Sequence, residues 1–205
     1  MLTQQSIYLI VIKSIFHPSM KKYFTTSFFV FSSLILISCG NQSQYKIEKG
    51  KVGHVTSKTT VSELENIFKN DSIVKKLSEG TLGRSFTDDD EYLIYEKGGK
   101  HLLTLIPKEQ LDSTSTIRCV EVYDERFKSE SGLNLNSTFA EINLNNRIDK
   151  VETSLSSATL FIDDINATIS IDKEQLGLKA FSYEKVSLEQ IPDLAKMKSF
   201  TVWFN

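Results

Sequence analysis

Two stretches of this chain carry the same local pattern in the same order, and any fold it adopts has to accommodate both copies. Thr59-Thr60-Val61-Ser62-Glu63-Leu64 and Ser137-Thr138-Phe139-Ala140-Glu141-Ile142 share a Thr-x-x-Glu start ahead of apolar positions. Such a start favours a helix, because the hydroxyl and the carboxylate satisfy amides that have no partner in the first turn. Further on, Ile106-Pro107-Lys108-Glu109-Gln110-Leu111 parallels Ile171-Asp172-Lys173-Glu174-Gln175-Leu176. Each copy then closes on a strand, at Val120–Asp124 and at Thr201–Asn205. The markers stand further apart in the first copy, which places extra chain at Glu79–Glu91, while the second carries extra chain between Leu176 and Phe200.

Between the markers the signals are β. Tyr92–Tyr95 and Leu102–Ile106 flank Glu96-Lys97-Gly98-Gly99-Lys100, where two glycines are free to take positive φ in a hairpin turn. Thr159–Ile162 and Ala167–Ile171 flank a second short turn, Asp163-Asp164-Ile165-Asn166. Weaker strand signals lie at Ile73–Leu77 and Ile148–Leu155, and a third helix is expected over Leu188–Met197 behind Ser187. Each unit therefore reads helix, strand, hairpin, strand, after an extended lead-in at Lys46–Val55 or Gly132–Leu135. The expected class is α+β, an antiparallel sheet with short helices in two pseudo-symmetric repeats, 50–131 and 132–205. One repeat alone buries too little surface to be stable, so the two should form one domain.

The N-terminus reads as an address. Lys13, Lys21 and Lys22 are the charged residues of the first 38, and no acid occurs there. Met20-Lys21-Lys22-Tyr23 followed by the apolar run Phe28–Ile37 has the order of a secretory signal, and the run is too short to span a bilayer. Leu36-Ile37-Ser38-Cys39 resembles the lipobox of bacterial lipoproteins. That resemblance implies that residues 1–38 are removed and that Cys39 is lipidated, with fatty chains such as palmitate holding the body to a membrane. A second apolar run at Ile7–Ile12 makes a signal from Met1 unusually long, so translation is expected to start at Met20. Residues 39–49 then read as lipidated cysteine and polar tether. Gly40-Asn41-Gln42-Ser43 lacks the aspartate of inner-membrane retention and the acidic run of surface export, which points to an outer-membrane lipoprotein facing the periplasm.

The body also resembles small envelope-lipoprotein modules that lay helices on an antiparallel sheet, such as outer-membrane assembly lipoproteins and β-lactamase-inhibitor-like groups. Element order and the Thr-x-x-Glu helix start carry this likeness, and the closer likeness is to an uncharacterised Bacteroidota-type lipoprotein family. Asp71-Ser72-Ile73 and Asp112-Ser113-Thr114 resemble the short O-glycosylation sequon of those bacteria, which makes Ser72 and Ser113 candidate modification sites.

Few residues have the spacing that chemistry needs. With 24 basic and 26 acidic residues the chain has a net charge of −2, and loss of residues 1–38 makes the body more acidic still. This is not the basic excess of a nucleic-acid binder. Once Cys39 is lipidated, Cys119 has no intrachain partner, and it reads as a small apolar core residue in a strand. His54 and His101 have no ligand-spaced neighbours, so neither a metal nor a cofactor is assigned. Asp88-Asp89-Asp90-Glu91 reads as a solvated loop, because consecutive acids lack the alternation of a calcium loop. No catalytic residue is assigned. The expected function is therefore a non-enzymatic, lipid-anchored envelope protein that binds another protein or a cell-wall component. Two alternatives remain open: a small-ligand or ion carrier with a deep apolar groove at the repeat seam, and an envelope hydrolase with convergent carboxylates in a pocket. A flat exposed aromatic patch would support docking of a partner.

Overall fold

The repeated markers fold into the two halves of one eight-stranded sheet. The computed structural model describes residues 43–78 and 89–204. The leader, Cys39, Asp88 and Asn205 lie outside the described residues. A meander of β1 (Lys46–Glu48), β2 (Lys51–Val52) and β3 (Val55–Thr56) leads to a 3-10 turn at Val61–Glu63 and to α1 (Leu64–Ile67). Unit one continues with β4 (Ser72–Lys76), β5 (Glu91–Tyr95), β6 (His101–Pro107) and β7 (Ile117–Val122). Unit two follows with β8 (Lys128–Ser129), α2 (Phe139–Asn145), β9 (Ile148–Thr153), β10 (Ser157–Ile162), β11 (Ala167–Asp172) and β12 (Ser199–Trp203).

The large sheet runs β4-β5-β6-β7-β12-β11-β10-β9, so each unit fans outward from a seam between β7 and β12 in the same order. Its neighbours all pair antiparallel. The fold is thus α+β, antiparallel sheet with short helices, as the pattern of the sequence predicts. Two isolated bridges confirm the equivalence: Thr60 pairs with Thr116 and Thr138 with Lys196, each joining a helix start to the residues ahead of its unit's last strand. In both units the helix opens with a reciprocal cap, Glu63 accepting from the Thr60 amide and Glu141 from the Thr138 amide, each at 2.8 Å.

Register sorts the side chains into two faces. One row across all eight strands, Lys75, Tyr92, Leu105, Val120, Val202, Ala167, Ile162 and Ile148, points to the core apart from its edge lysine. Leu64, Phe139 and Ile142 from the helical segments, and Ile47, Val52 and Val55 from the meander, join the same core cluster. Full burial of each such aliphatic side chain contributes roughly 1.5–3 kcal/mol. The edges carry charge, Lys75 and Lys76 on β4 and Lys150 and Glu152 on β9, which discourages pairing with further strands.

Three features depart from the sequence reading. A second sheet, β3-β2-β1-β8, is present, with β1 and β8 parallel; its strands are two or three residues long, too short for an alternation pattern to register. Unit two's lead-in strand is Lys128–Ser129, ahead of the expected Gly132–Leu135, and the folded chain reaches back to Ser43. Gly53 anchors this meander: its N–H donates to the Lys46 carbonyl, its φ is +57°, and a Cβ there would meet the Gln44 carbonyl oxygen at 2.5 Å. Finally, the helix expected over Leu188–Met197 is one 3-10 turn, Leu188–Gln190. Pro192 forces the residue before it out of helical geometry, and Ile191 sits extended at φ −81°, ψ 121°.

Candidate functional site

The opposite face of the large sheet lies outside the core cluster and holds the chain's most distinctive arrangement. Its central row reads Val74, Leu93, Thr104 and Glu121 in unit one, then Thr201, Thr168, Phe161 and Lys150 in unit two. Glu121 pairs directly with Thr201, so the pseudo-two-fold passes between them. Two residues further along each closing strand come Tyr123 and Trp203, which are therefore equivalents. Both rings are exposed, Tyr123 by 48% and Trp203 by 37%. The antiparallel pairing sets Trp203 opposite Cys119, so the two rings stand on adjacent strands at opposite ends of the seam.

Neighbouring groups fix the two rings. His101 lies between Tyr95 and Tyr123, stacked at centroid distances of 4.8 and 4.0 Å. Its Nε2 contacts Thr104 Oγ1 at 3.1 Å and the Leu103 carbonyl at 3.2 Å, and burial holds its pKa below the ordinary value. Tyr123 donates its hydroxyl to Glu121 at 2.8 Å. Burial, followed by that hydrogen bond and the Glu121 charge, pushes the phenol up to about 12. On the other side Trp203 Nε1 donates to Thr168 Oγ1 at 2.9 Å. The equivalent threonines Thr104 and Thr168 therefore serve the same purpose in the two units: each bonds a ring nitrogen on the outward face. Lys150 Nζ sits 4.2 Å over the Phe161 ring at the far edge. On this face Thr104, Thr168, His101 Nε2, the Trp203 indole nitrogen and the Tyr123 hydroxyl are engaged with neighbouring groups, while the aromatic rings stand exposed.

Sequence reasoning placed some residues correctly and misread others. Cys119 is buried in β7, as expected, and burial lifts its thiol to about 11, away from nucleophilic chemistry. His54 is exposed in the meander turn. Ser72, at the start of edge strand β4, and Ser113, in the β6–β7 turn, are both exposed. Among the described residues of the acidic run, Asp90 is not solvated. Asp90 is 1% exposed and accepts from the Ser78 amide and hydroxyl and from the Leu111 amide, which together outweigh burial and hold it below the usual carboxylate range. Asp89 pairs with Arg118. Consecutive residues in the run face different neighbours, information that a run of identical charges does not carry.

A cluster of ion pairs lies just past β7. Asp124 is fully buried; Arg126 Nη2 approaches it at 2.7 Å and Lys100 at 3.0 Å. Burial opposes its charge, but the bonds from Arg126 and Lys100 win and hold it at about 2. Arg126 also pairs with Glu96 and lies 4.6 Å over the Tyr45 ring, so one guanidinium ties the β5–β6 hairpin to the start of the meander.

Three cavities lie away from the seam. One is polar and contains Glu125 and Glu141, but each acid is engaged, Glu125 with Lys100 and Glu141 with the Thr138 cap. A second lies beside Ile47, Glu48 and Asp164. The third, of about 390 Å³, lies between α1 and β4. Among the described residues no three His, Cys, Asp or Glu side chains cluster as metal ligands would.

No family model matches the chain, and no curated protein matches its sequence. Among solved structures it is similar to the uncharacterized protein yfeY from Escherichia coli, at 10% identity and a TM-score of 0.49, over 77% of this chain and 99% of that one.

Proposed function

We propose that this chain is a lipid-anchored cell-envelope protein, held through Cys39 in the outer membrane and facing the periplasm, that binds a partner protein across the seam of its large sheet. The observation that supports the reading is the pair of equivalent exposed rings, Tyr123 and Trp203, on a face outside the core. A protein suits this face better than a glycan does. The Tyr123 hydroxyl, Glu121 Oε2, His101 Nε2 and the Trp203 indole nitrogen already bond internally, which favours stacking and apolar contact as the means of recognition, and buried aromatic anchors dominate protein interfaces. Lipid supplies the localisation, because an acidic body is repelled by an anionic bilayer. Ser72 and Ser113 stand on the surface, where a glycosyltransferase would reach them.

A photo-crosslinking residue at position 123 or 203 in native cells is expected to give one defined protein adduct, and the same residue at Leu144, 83% exposed on α2, none. Labelled palmitate should enter the wild type and not Cys39→Ala. A muramidase-sensitive adduct, or equal adducts at all three positions, would overturn the docking reading; palmitate incorporation into Cys39→Ala would overturn the anchor.

A further inference from the structure

The folded chain begins closer to Cys39 than a tether of residues 39–49 would put it. Ser43–Tyr45 is a 3-10 turn that runs straight into β1. Tyr45 is held to the body: its ring packs edge-on against Phe127 at 5.1 Å, and the Arg126 guanidinium lies 4.6 Å over it. The carbonyl of the next residue, Lys46, accepts from the Gly53 amide at 2.8 Å. Little slack therefore remains after Ser43. Gly40, Asn41 and Gln42 are the residues between it and Cys39, and even a fully extended chain of that length spans only about 14 Å. With Cys39 lipidated, the bilayer surface lies within that reach of the small sheet.

The small sheet offers such a surface a basic face. Register turns Ser129, Ile47, Val52 and Val55 inward, all of them buried, so that Lys128, Lys46, Glu48, Lys51 and Thr56 share the outward side. Lys46 and Lys128 stand directly opposite each other on paired strands, a juxtaposition of like charges that costs stability and that an anion would relieve. Glu48 engages Lys46 at 2.7 Å and Lys51 at 3.5 Å. Lys49, in the turn after β1, is exposed, as are Lys46 and Lys128; Glu130 and Asp164 stand at the rim, beside the cavity at Ile47. Residues 43–60 hold four lysines and one acid, in a chain whose acids outnumber its bases.

We infer that the outward face of the small sheet, with Lys46, Lys49, Lys51 and Lys128, rests on the phosphate groups of anionic phospholipids and so fixes the orientation of the body on its membrane. The inference rests on the Cys39 anchor and deepens it: acyl chains supply the hold and the lysines supply the direction. Attraction between exposed charges fades beyond a Debye length of about 8 Å at physiological salt, so it acts on a face that a short tether keeps close. The acid-rich remainder of the body is repelled by the same phosphates, which favours this one orientation.

The test uses the lipidated chain, purified from its own cells and reconstituted into vesicles of phosphatidylglycerol and phosphatidylcholine in equal parts. A water-soluble amine-acylating reagent is added and the modified lysines are mapped by mass spectrometry. Lys46, Lys49 and Lys128 are expected to react several-fold more slowly than on vesicles of phosphatidylcholine alone, while Lys108 and Lys185, exposed elsewhere, react alike on both. Lys49→Glu combined with Lys128→Glu should return Lys46 to its rate on phosphatidylcholine. Equal rates on the two lipids, in protein that floats with the vesicles, would overturn the orientation and leave the anchor standing. Protein that floats with neither vesicle would overturn both. Protection found in intact envelopes but not on the anionic vesicles would also overturn the inference, by making a protein the occupant of this face.

Discussion

Unit two lays residues 177–198 as a strap between β11 and β12, with Lys173 buried against it, whereas unit one joins β6 to β7 through residues 108–116 and places its extra chain in the β4–β5 link instead. A second contrast lies three residues past the Glu121–Thr201 pair: unit one has Asp124, buried among Arg126 and Lys100, and unit two has Phe204, 2% exposed. The same place in the fold is filled by an ion cluster in one copy and by a phenyl ring in the other. The two units share strand order, register and helix caps and differ in how this position is filled. What both copies retain on the outward face, a ring-nitrogen contact to an equivalent threonine beside an exposed aromatic, has no part in the core.

The sharpest break in this comparison should come from truncating the strap. Ile191→Ala is expected to cost about 3 kcal/mol, as for other buried aliphatic truncations, while Leu111→Ala in unit one should stay within about 0.5 kcal/mol; urea unfolding measures both. Removal of the Arg126 side chain leaves a buried carboxylate with Lys100 and one backbone amide. Arg126→Ala should therefore cost about 3 kcal/mol, with no counterpart in unit two, where Phe204 takes the place.

Acid provides a gentler test of the same cluster. The Asp124 carboxyl titrates near 2 when folded, below its ordinary value of 3.8. Its stabilising contribution is therefore complete above about pH 5 and is lost progressively as pH falls through 2, a loss of about 2 kcal/mol from linkage. In Asp124→Asn the unfolding free energy should lose this part of its acid dependence. A smaller difference is expected between matched lysines: Lys173→Met should cost about 1–2 kcal/mol, since two carbonyls lose a charged donor, and Lys108→Met, exposed in unit one, close to nothing. The helix caps should show the least asymmetry, with Thr60→Ala and Thr138→Ala each costing about 1 kcal/mol.

Much of this architecture is legible in the sequence because the repeat repeats its punctuation. Thr-x-x-Glu marks both helix starts, Gly98-Gly99 and Asp163–Asn166 mark both hairpins, and the two places of extra chain are where the units diverge. What escaped was non-local. Two-residue strands such as β2 and β8 have no period of their own and exist because β1 lies between them. Asp90 is indistinguishable from its acidic neighbours until the Leu111 amide arrives from a distant turn. The equivalence of Tyr123 and Trp203 becomes visible only once Glu121 and Thr201 face each other across the seam. The lipobox-like run Leu36–Cys39, by contrast, is a purely local pattern and lies outside the described residues.

The central claim, that the seam face is occupied in the envelope, can be tested directly by hydroxyl-radical footprinting of intact cells against the purified protein. Trp203 and Tyr123 should oxidise several-fold more slowly in cells, while Phe181 and Tyr183, 76% and 91% exposed on the strap, should react alike in both. Equal oxidation of Trp203 in the two settings would contradict it.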